Sequence, residues 1–517
     1  MQSFLSMAAN RAVDDYAINT CGIPGQTLMQ HAGEAVIETM EAQGLLVNEP
    51  TILVLAGKGN NGGDGFVIAR GLIERGHRVA LLMTAEVSDL RGDALHHYKL
   101  LDDAGVEAAQ WTDESHQHQM IQDADLIIDA LLGTGISGEI RDPYARIINL
   151  CNGSEAEIVA VDVPSGVTED RGKVLRPCIR AGLTVSMGFG KTGCLFEPAR
   201  SQSGLIKVVD IGFPPDSINN VDAPALSRTE DQDFPSDLFT RSAASHKYSV
   251  GKVYIIAGSR GFTGAALLAS TAALRSGAGL VKLAIPESLA PIAEAASLET
   301  IVEYLPETEA GTFAQSGQAQ LMEGISWANS VVLGPGIGRS EETIELIRKL
   351  VSDIDRPTVI DADALHAIKD DLHLLAGRSA PSIITPHLGE FLRLGDIHTE
   401  AKPPYWEEAV ALARANRTHV LLKGAPSLMA FPDGNVIVNN TGHAGMATAG
   451  SGDVLSGVLG GLWAQWPDHP DVLRFGMHIH GKAADHMRRT KGVLGMIAGD
   501  IVEALPDVLK EHGGLPA

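Results

Sequence analysis

Nine consecutive residues, Gly57-Lys58-Gly59-Asn60-Asn61-Gly62-Gly63-Asp64-Gly65, combine glycines with two amides and a carboxylate. They lie between an apolar run at 52–56 and a helical pattern at 66–74. Glycines here let the chain turn tightly and bring backbone N–H groups close to an anion at the positive end of a helix, so the loop suits a phosphate. It is read as neither a Walker A sequence nor G-x-G-x-x-G, and on these residues alone a glycine-rich turn without a ligand stays open. Gly190-Lys191-Thr192 resembles the end of a P-loop, but Val185 stands where the first glycine belongs, so that reading is rejected.

Two carboxylates close later apolar runs. Asp129 opens Asp-Ala-Leu-Leu-Gly-Thr-Gly, and Asp162 opens Asp-Val-Pro-Ser-Gly. Such an aspartate could hold a cation, bind a ribose hydroxyl or move a proton; taken singly, a helix cap or turn explains either equally well. In the second half, the small-residue segment 445–457 runs into an apolar helical pattern through Gly450-Ser451-Gly452-Asp453. Successive N–H groups at a helix start form an anion hole for a phosphate in transfer, with Asp453 beside it as a base; close helix packing is the alternative use of small residues. Gly334-Pro335-Gly336-Ile337-Gly338, Thr385-Pro386-His387-Leu388-Gly389-Glu390 and Lys423-Gly424-Ala425-Pro426-Ser427 each follow a strand pattern. His387, between a proline and a leucine-glycine step at a strand end, is better placed for function than most lone histidines. His478, His480 and His486 are spaced by two and six, share no helix face, and are expected to be solvated.

The elements that must position these residues are strands alternating with helices. Apolar runs at 52–56, 79–83, 126–130, 158–163, 184–187 and 206–209 predict one parallel sheet covered on both faces. Runs at 253–257, 331–333, 358–360, 382–384 and 419–422 predict a second. In an open parallel sheet the loops at the carboxyl ends of the strands converge on one crevice, which is how motifs distant in sequence come to share a pocket. Helices are expected over 4–18 and 27–43, packed on the first sheet or on a partner subunit. Residues 212–235 lack periodicity and are read as a linker. This divides the chain into a domain at 1–220 and another at 228–517.

The bulk numbers agree with two globular domains: 517 residues, 44% hydrophobic and 20% charged. With 64 acidic against 40 basic residues the net charge is -24, which disfavours nucleic acid and anionic membranes as partners. The four cysteines form no C-x-x-C pair, which argues against a zinc site and a disulfide framework, and no apolar stretch approaches a signal peptide or a membrane span. A cytoplasmic protein is expected.

The loop at 57–65, the Asp129 segment and the Asp162 segment, in this order, resemble the NAD(P)H-hydrate epimerase family across roughly the first 215 residues. The resemblance implies a Rossmann-like domain, with potassium held by Asn61, Asp129 and Ser165. It implies substrate contacts at Asn60, Asn61, Gly62, Gly63, Asp64, Gly133, Thr134, Gly135, Ile136, Ser137, Gly138, Glu139 and Asp162, with Asp162 taken as the proton-handling carboxylate. From about residue 230 onward, the segment Gly258-Ser259-Arg260-Gly261-Phe262-Thr263-Gly264-Ala265, the 334–338 loop, the 385–390 segment and the Gly450-Ser451-Gly452-Asp453 end resemble the ADP/ATP-dependent NAD(P)H-hydrate dehydratases of the ribokinase-like superfamily. Ser451 stands where the superfamily usually has alanine, a change tolerated in the dehydratase branch and unlike a sugar kinase. This resemblance implies substrate contacts at Ala265, Gly338, His387 and Asp453, and adenine-nucleotide contacts at Lys423, Gly424, Ala425, Pro426, Ser427 and Gly452.

The implied chemistry is repair of reduced nicotinamide cofactors hydrated at C6. The first half interconverts the R and S epimers. The second phosphorylates the C6 hydroxyl of the S form at the expense of ADP or ATP, with magnesium and Asp453 as base, and phosphate then leaves. ADP is the expected donor and a homo-oligomer the expected assembly. A small-molecule kinase and a non-catalytic binding module are the competing readings: the first leaves residues 1–215 unexplained, and the retained Asn61, Asp129, Asp162 and Ser165 weigh against the second.

Overall fold

The computed structural model describes the chain apart from residues 169, 221–225, 235–239, 395–402, 470 and 513–517. It folds as two compact units, Gln2–Leu226 and Ser227–Ala517. Part of the segment read as a linker lies outside the described residues.

The first unit opens with a short strand β1 (Gln2–Leu5) and helices α1 (Met7–Asp15) and α2 (Gly25–Ala42). Seven parallel strands then form its sheet: β2 (Ile52–Ala56), β3 (Val79–Met83), β4 (Ala108–Gln110), β5 (Leu126–Ala130), β6 (Glu157–Val161), β7 (Leu183–Met187) and β9 (Leu205–Val209), in the order β4-β3-β2-β5-β6-β7-β9. The two-residue strand β8 (Gly190–Lys191) pairs with β1. Alternate residues of β2 serve different cores: Ile52, Val54 and Ala56 face one hydrophobic layer, Leu53 and Leu55 the other. Burial on both sides explains why these strands read as unbroken apolar runs. Chain order reverses between β2 and β5, so the crevice lies beyond the carboxyl ends of those two strands, the usual ligand position in a Rossmann-like sheet.

Expected and observed strands agree closely, but the helix expected over 4–18 starts later. Phe4 and Leu5 pair instead with Gly190 and Lys191. Ser6 then caps α1 by accepting from the Ala9 N–H, and Asp170 accepts from the Met7 N–H. A tertiary strand partner overrode local periodicity. Helix α2 buries Ala32, Val36, Ile37 and Met40 in the sheet's core layer.

The second unit repeats the logic with β10 (Lys252–Ile256), β11 (Leu280–Pro286), β12 (Ile301–Leu305), β13 (Ser330–Leu333), β14 (Thr358–Ile360), β15 (Ser382–Ile384) and β16 (His419–Leu422) parallel, in the order β12-β11-β10-β13-β14-β15-β16. Antiparallel β17 (Leu428–Ala430) and β18 (Val436–Val438) extend it. β1, β4 and β8 of the first unit and β11, β12, β17 and β18 of the second escaped the sequence reading. Order again reverses, between β10 and β13.

Helix α3 (Asn60–Glu74) follows β2 in the first unit. In the second, α4 (Thr263–Arg275), α5 (Ser451–Gln465), α6 (Val472–Lys491) and α7 (Ala498–His512) pack on the sheet and on one another. The expectation that the histidines of α6 are solvated is wrong. His478 and His480 are buried because α6 is sandwiched between α5 and α7, so residues on opposite sides of the helix are both enclosed. His478 hydrogen-bonds Asp231, while His486 stays partly exposed.

Candidate active sites

In the first unit, β2 ends at Ala56 and α3 begins at Asn60, with Gly59 supplying no side-chain cap. The N–H groups at the start of α3 are thus left for a ligand. Glycine is required here by closeness: a Cβ on Gly57 would stand 1.9 Å from the Leu131 carbonyl oxygen, and one on Gly62 would stand 1.9 Å from the Gly57 oxygen. The reading that excluded G-x-G-x-x-G is wrong: Gly57, Gly59 and Gly62 have that spacing of dinucleotide-binding turns.

A cavity of about 720 Å³ opens above this loop. Asn60, Asn61, Asp64, Gly133, Thr134, Gly135, Ile136 and Asp162 line it, as do Asp14 of α1 and Lys191 of β8. Gly62 and Gly63 are buried in the helix's first turn, whereas Ser137, Gly138 and Glu139 are exposed and do not line the cavity.

Asp129 closes β5 and is fully buried. Its two carboxylate oxygens accept from the Ser165 N–H at 2.7 Å and the Ser165 hydroxyl at 2.6 Å. Burial pushes its carboxyl up to about 6 against the opposing hydrogen bonds from Ser165 and Leu131. Asn61 lies against Gly133, and both its amide oxygen and its amide nitrogen are buried without a partner among the described residues. An unsatisfied buried amide in a cavity wall is costly unless a ligand completes it.

Asp162 follows β6 with φ +68°, a left-handed conformation that costs about 1–2 kcal/mol for most residues and is best tolerated by Asn, Asp and Gly. Its carboxylate accepts from the Met187 N–H at 3.2 Å and from the Lys191 ammonium, itself only 4% exposed. Lys191 also donates to the carbonyls of Met187 and Phe189 at 3.1 and 3.2 Å. Lys191 is no P-loop lysine, yet it belongs to the site.

In the second unit, every predicted loop falls at the carboxyl edge of the sheet. Ala265 of α4 packs against Gly336, and the Gly338 N–H donates to Asp363 at 3.1 Å. Gly450, at φ +91°, precedes α5 without a side-chain cap, leaving the helix start open toward Gly452 and Asp453. Farther along α5, a Cβ on Gly457 would meet the Ala269 carbonyl oxygen at 2.2 Å. The small residues thus divide their work, those before Asp453 opening the loop and Gly457 permitting close packing on α4.

Asp361, just after β14 and 1% exposed, organises the centre. It accepts from Lys423 Nζ at 2.8 Å and from the Ser456 hydroxyl at 2.8 Å, tying β14, β16 and α5 together. A Cβ on Gly452 would lie 3.2 Å from Lys423 Nζ, so the lysine sits directly under the helix start. Burial pushes the Asp453 carboxyl up to about 6, Asp361 and Asp363 adding to the effect and Lys423 opposing it. A carboxylate at that value lies near the operating range of general-base catalysis.

His387 caps the short helix Leu388–Phe391: its Nδ1 accepts from the N–H groups of Gly389 and Glu390 at 2.9 and 3.2 Å, and its Nε2, on an exposed ring, lies 3.5 Å from the Glu390 carboxylate. Ser427 closes the 423–427 turn by donating to the Gly424 carbonyl at 3.1 Å, with Ala425-Pro426 cis between them. Burial lowers the His480 imidazole to about 4, with the nearby Ser451 backbone opposing the shift.

Asp14, Lys191, Asp361 and His480 are the site residues that motif reading missed. Asp361 carried a usable signal, since it ends a strand pattern like every other motif of that sheet.

A family model described as "YjeF-related protein N-terminus" matches residues 25–193, and one described as "NAD(P)H-hydrate dehydratase" matches residues 253–507. The chain is 38% identical over 506 residues to the bifunctional NAD(P)H-hydrate repair enzyme Nnr of Moorella thermoacetica, covering 96% of this chain and 95% of the relative. The enzyme of the same name from Thermofilum pendens is 34% identical, covering 97% and 95%. Among solved structures, ADP/ATP-dependent NAD(P)H-hydrate dehydratase from Bacillus subtilis, co-crystallized with ATP/Mg2+, is 26% identical with a TM-score of 0.46, covering 56% of this chain and 99% of that one.

Proposed function

The chain belongs to the family of bifunctional NAD(P)H-hydrate repair enzymes, and we propose that its two units share the work as an epimerase and a nucleotide-dependent dehydratase through the residues assembled above. The observation that carries this is the pairing of two different crevices in one chain. One is a dinucleotide-sized cavity with paired and unpaired carboxylates, the other an uncapped helix start with a base in its first turn.

In the second unit, Asp453 takes the proton of the C6 hydroxyl as that oxygen attacks the terminal phosphoryl group of ADP or ATP. The open N–H groups of α5 and the Lys423 ammonium face the charge that develops on the phosphoryl oxygens. The C6–O bond then breaks, its electrons leaving on phosphate while the ring nitrogen's lone pair assists, and loss of a C5 proton restores the nicotinamide ring. Asp361 positions Lys423 for this. Ala265, Gly338 and the His387 ring bind the hydrated dinucleotide, and residues 423–427 with Gly452 bind the adenine nucleotide. Magnesium is expected to accompany the nucleotide's phosphates at this edge of the sheet.

In the first unit, the N–H groups of α3 and the 133–136 loop bind the hydrated dinucleotide, and Asp162 handles the proton at C6. Asn61, Asp129 and Ser165 offer the hard oxygens that suit potassium, and the unpartnered Asn61 amide favours such an ion; it would order the loops. No described helix is long and apolar enough to cross a membrane. The substrates and co-substrates support a cytoplasmic enzyme, and a homo-oligomer is a matter for gel filtration with light scattering.

The test mixes purified protein with hydrated NADH as both epimers, potassium, magnesium and either ADP or ATP, and follows the reduced-nicotinamide absorbance. Full nucleotide-dependent recovery is expected. Recovery of one epimer's share alone removes the epimerase assignment, and a stable phosphorylated product without recovery makes the second unit a kinase.

A further inference from the structure

Among the described carboxylates that line the first unit's cavity, Asp64 alone is buried. It lies in the second turn of α3, is 8% exposed and lines the cavity, and among the described residues nothing hydrogen-bonds or ion-pairs with its side chain. Asp162, on the same cavity, is pinned by a buried ammonium and a backbone N–H. A buried carboxyl without a partner is far cheaper to hold as the neutral acid than as the anion, whereas a carboxyl against a lysine is stabilised as the anion. Two carboxyls in one pocket whose surroundings favour opposite protonation states are the arrangement that assigns an acid and a base.

Resting on the epimerase reading above, we infer that Asp64 is the proton donor of the epimerisation and works opposite the Asp162–Lys191 pair. Asp64 gives its proton to the C6 hydroxyl. The C6–O bond breaks with its electrons on oxygen, water leaves, and the ring nitrogen's lone pair forms a double bond to C6. Water adds to C6 from the other face and passes a proton to the Asp162 carboxylate, while the double-bond electrons return to nitrogen. The two carboxyls finish with exchanged protonation states and restore them through cavity water or by running in reverse. An isomerisation that moves a hydroxyl from one face to the other needs a proton handler for departure and one for arrival, and the cavity supplies both.

Burial raises the Asp64 carboxyl well above its ordinary value, Asp162 and Asp14 adding to this and Lys191 opposing it. Arg11, Asp15, Lys58 and Asp93 line the same cavity; α2 carries His31 and Glu34, and the helix Gly92–Asp103 carries His97 and Tyr98. A cation at Asn61 would act against the neutral form, so the test is run at one fixed potassium concentration.

Epimer interconversion is measured on the full chain without nucleotide, by chromatographic separation of the epimers across pH. In the wild type, kcat should fall on a basic limb as Asp64 loses its proton. Asp64→Asn should lower kcat by about 10²–10⁴-fold, the usual worth of a general acid, with KM within about threefold and the basic limb gone. It should melt no lower than the wild type, since an amide replaces a neutral acid of the same shape. Asp14→Asn removes a neighbouring negative charge and should move the limb to lower pH. Any of three results overturns the inference: Asp64→Asn within about threefold of wild-type kcat, a limb that persists in that variant, or a clear loss of its stability at alkaline pH. A wild-type chain that does not interconvert the epimers at all removes the epimerase reading itself, and this inference with it.

Discussion

The dehydration step should titrate with Asp453, and the direction is fixed by its role. In its proposed role Asp453 is a base, so the ionised form is the active one and activity is lost as pH falls through its folded value. That value is about 6 against an ordinary 3.8. At about 1.4 kcal/mol per unit, the environment disfavours the anion by roughly 3 kcal/mol, burial contributing first and the neighbouring Asp361 next. About a tenth of the enzyme is therefore competent at pH 5 and about nine tenths at pH 7. The perturbation is Asp361→Asn, which removes a charge held 2.8 Å from Lys423 and facing Asp453. The acid limb should move to lower pH as Asp453 becomes easier to ionise, while KM for nucleotide rises because Lys423 loses its anchor. Asp453→Asn should cost about 10²–10⁴ in kcat with no acid limb left to move. Reduced nicotinamide is acid-labile, so turnover is followed by chromatography of the nucleotide consumed, with the S epimer saturating. A wild-type rate that is flat between pH 5 and 7, or an acid limb unmoved in Asp361→Asn, refutes the assignment of Asp453 as the base.

Lys191→Met should reduce epimerisation at least tenfold while leaving nucleotide-dependent dehydration of the S epimer intact, and should destabilise the first unit by about 3–5 kcal/mol by stranding Asp162. Separate epimerase and dehydratase assays with a denaturant titration check both parts. Gly57→Ala must move the Leu131 carbonyl or the loop itself, costing about 1–3 kcal/mol and lowering the melting of the first unit by several degrees, read by calorimetry. His480 binds a proton near pH 6.5 when unfolded but only near 4 when folded, so its contribution to stability is lost as pH falls from about 6.5 to 4, by about 3 kcal/mol. Asp453 acts in the opposite sense over part of that window. The measurement is therefore the difference between wild type and His480→Gln, which should narrow on acidification; a constant difference would count against a buried neutral imidazole.

Much of the fold was legible because parallel strands advertise themselves. Ile52, Leu53, Val54, Leu55 and Ala56 are apolar throughout because both faces are covered, and glycine-rich loops follow such strands directly in sequence. What stayed hidden was fixed by partners distant along the chain. Lys423 and Asp361 lie 62 residues apart, Lys191 and Asp162 29. No window of sequence contains either pair. Phe4 looked helical because nothing local reveals the strand at Gly190 that claims it. His480 looked solvated because a two-sided burial erases the single apolar face on which a helical pattern depends.

The left-handed backbone at Asp162 narrows the evolutionary options of the whole first unit. A bulky or β-branched replacement would be strained there, so drift at this position is confined to asparagine, glycine and aspartate itself. Of these, asparagine is one base change away from an aspartate codon, fits the same turn and cannot take a proton. With Asp162 in its proposed role, the unit can thus lose its chemistry in a single mutational step without losing its architecture, leaving a folded dinucleotide receptor for selection to employ in some other way.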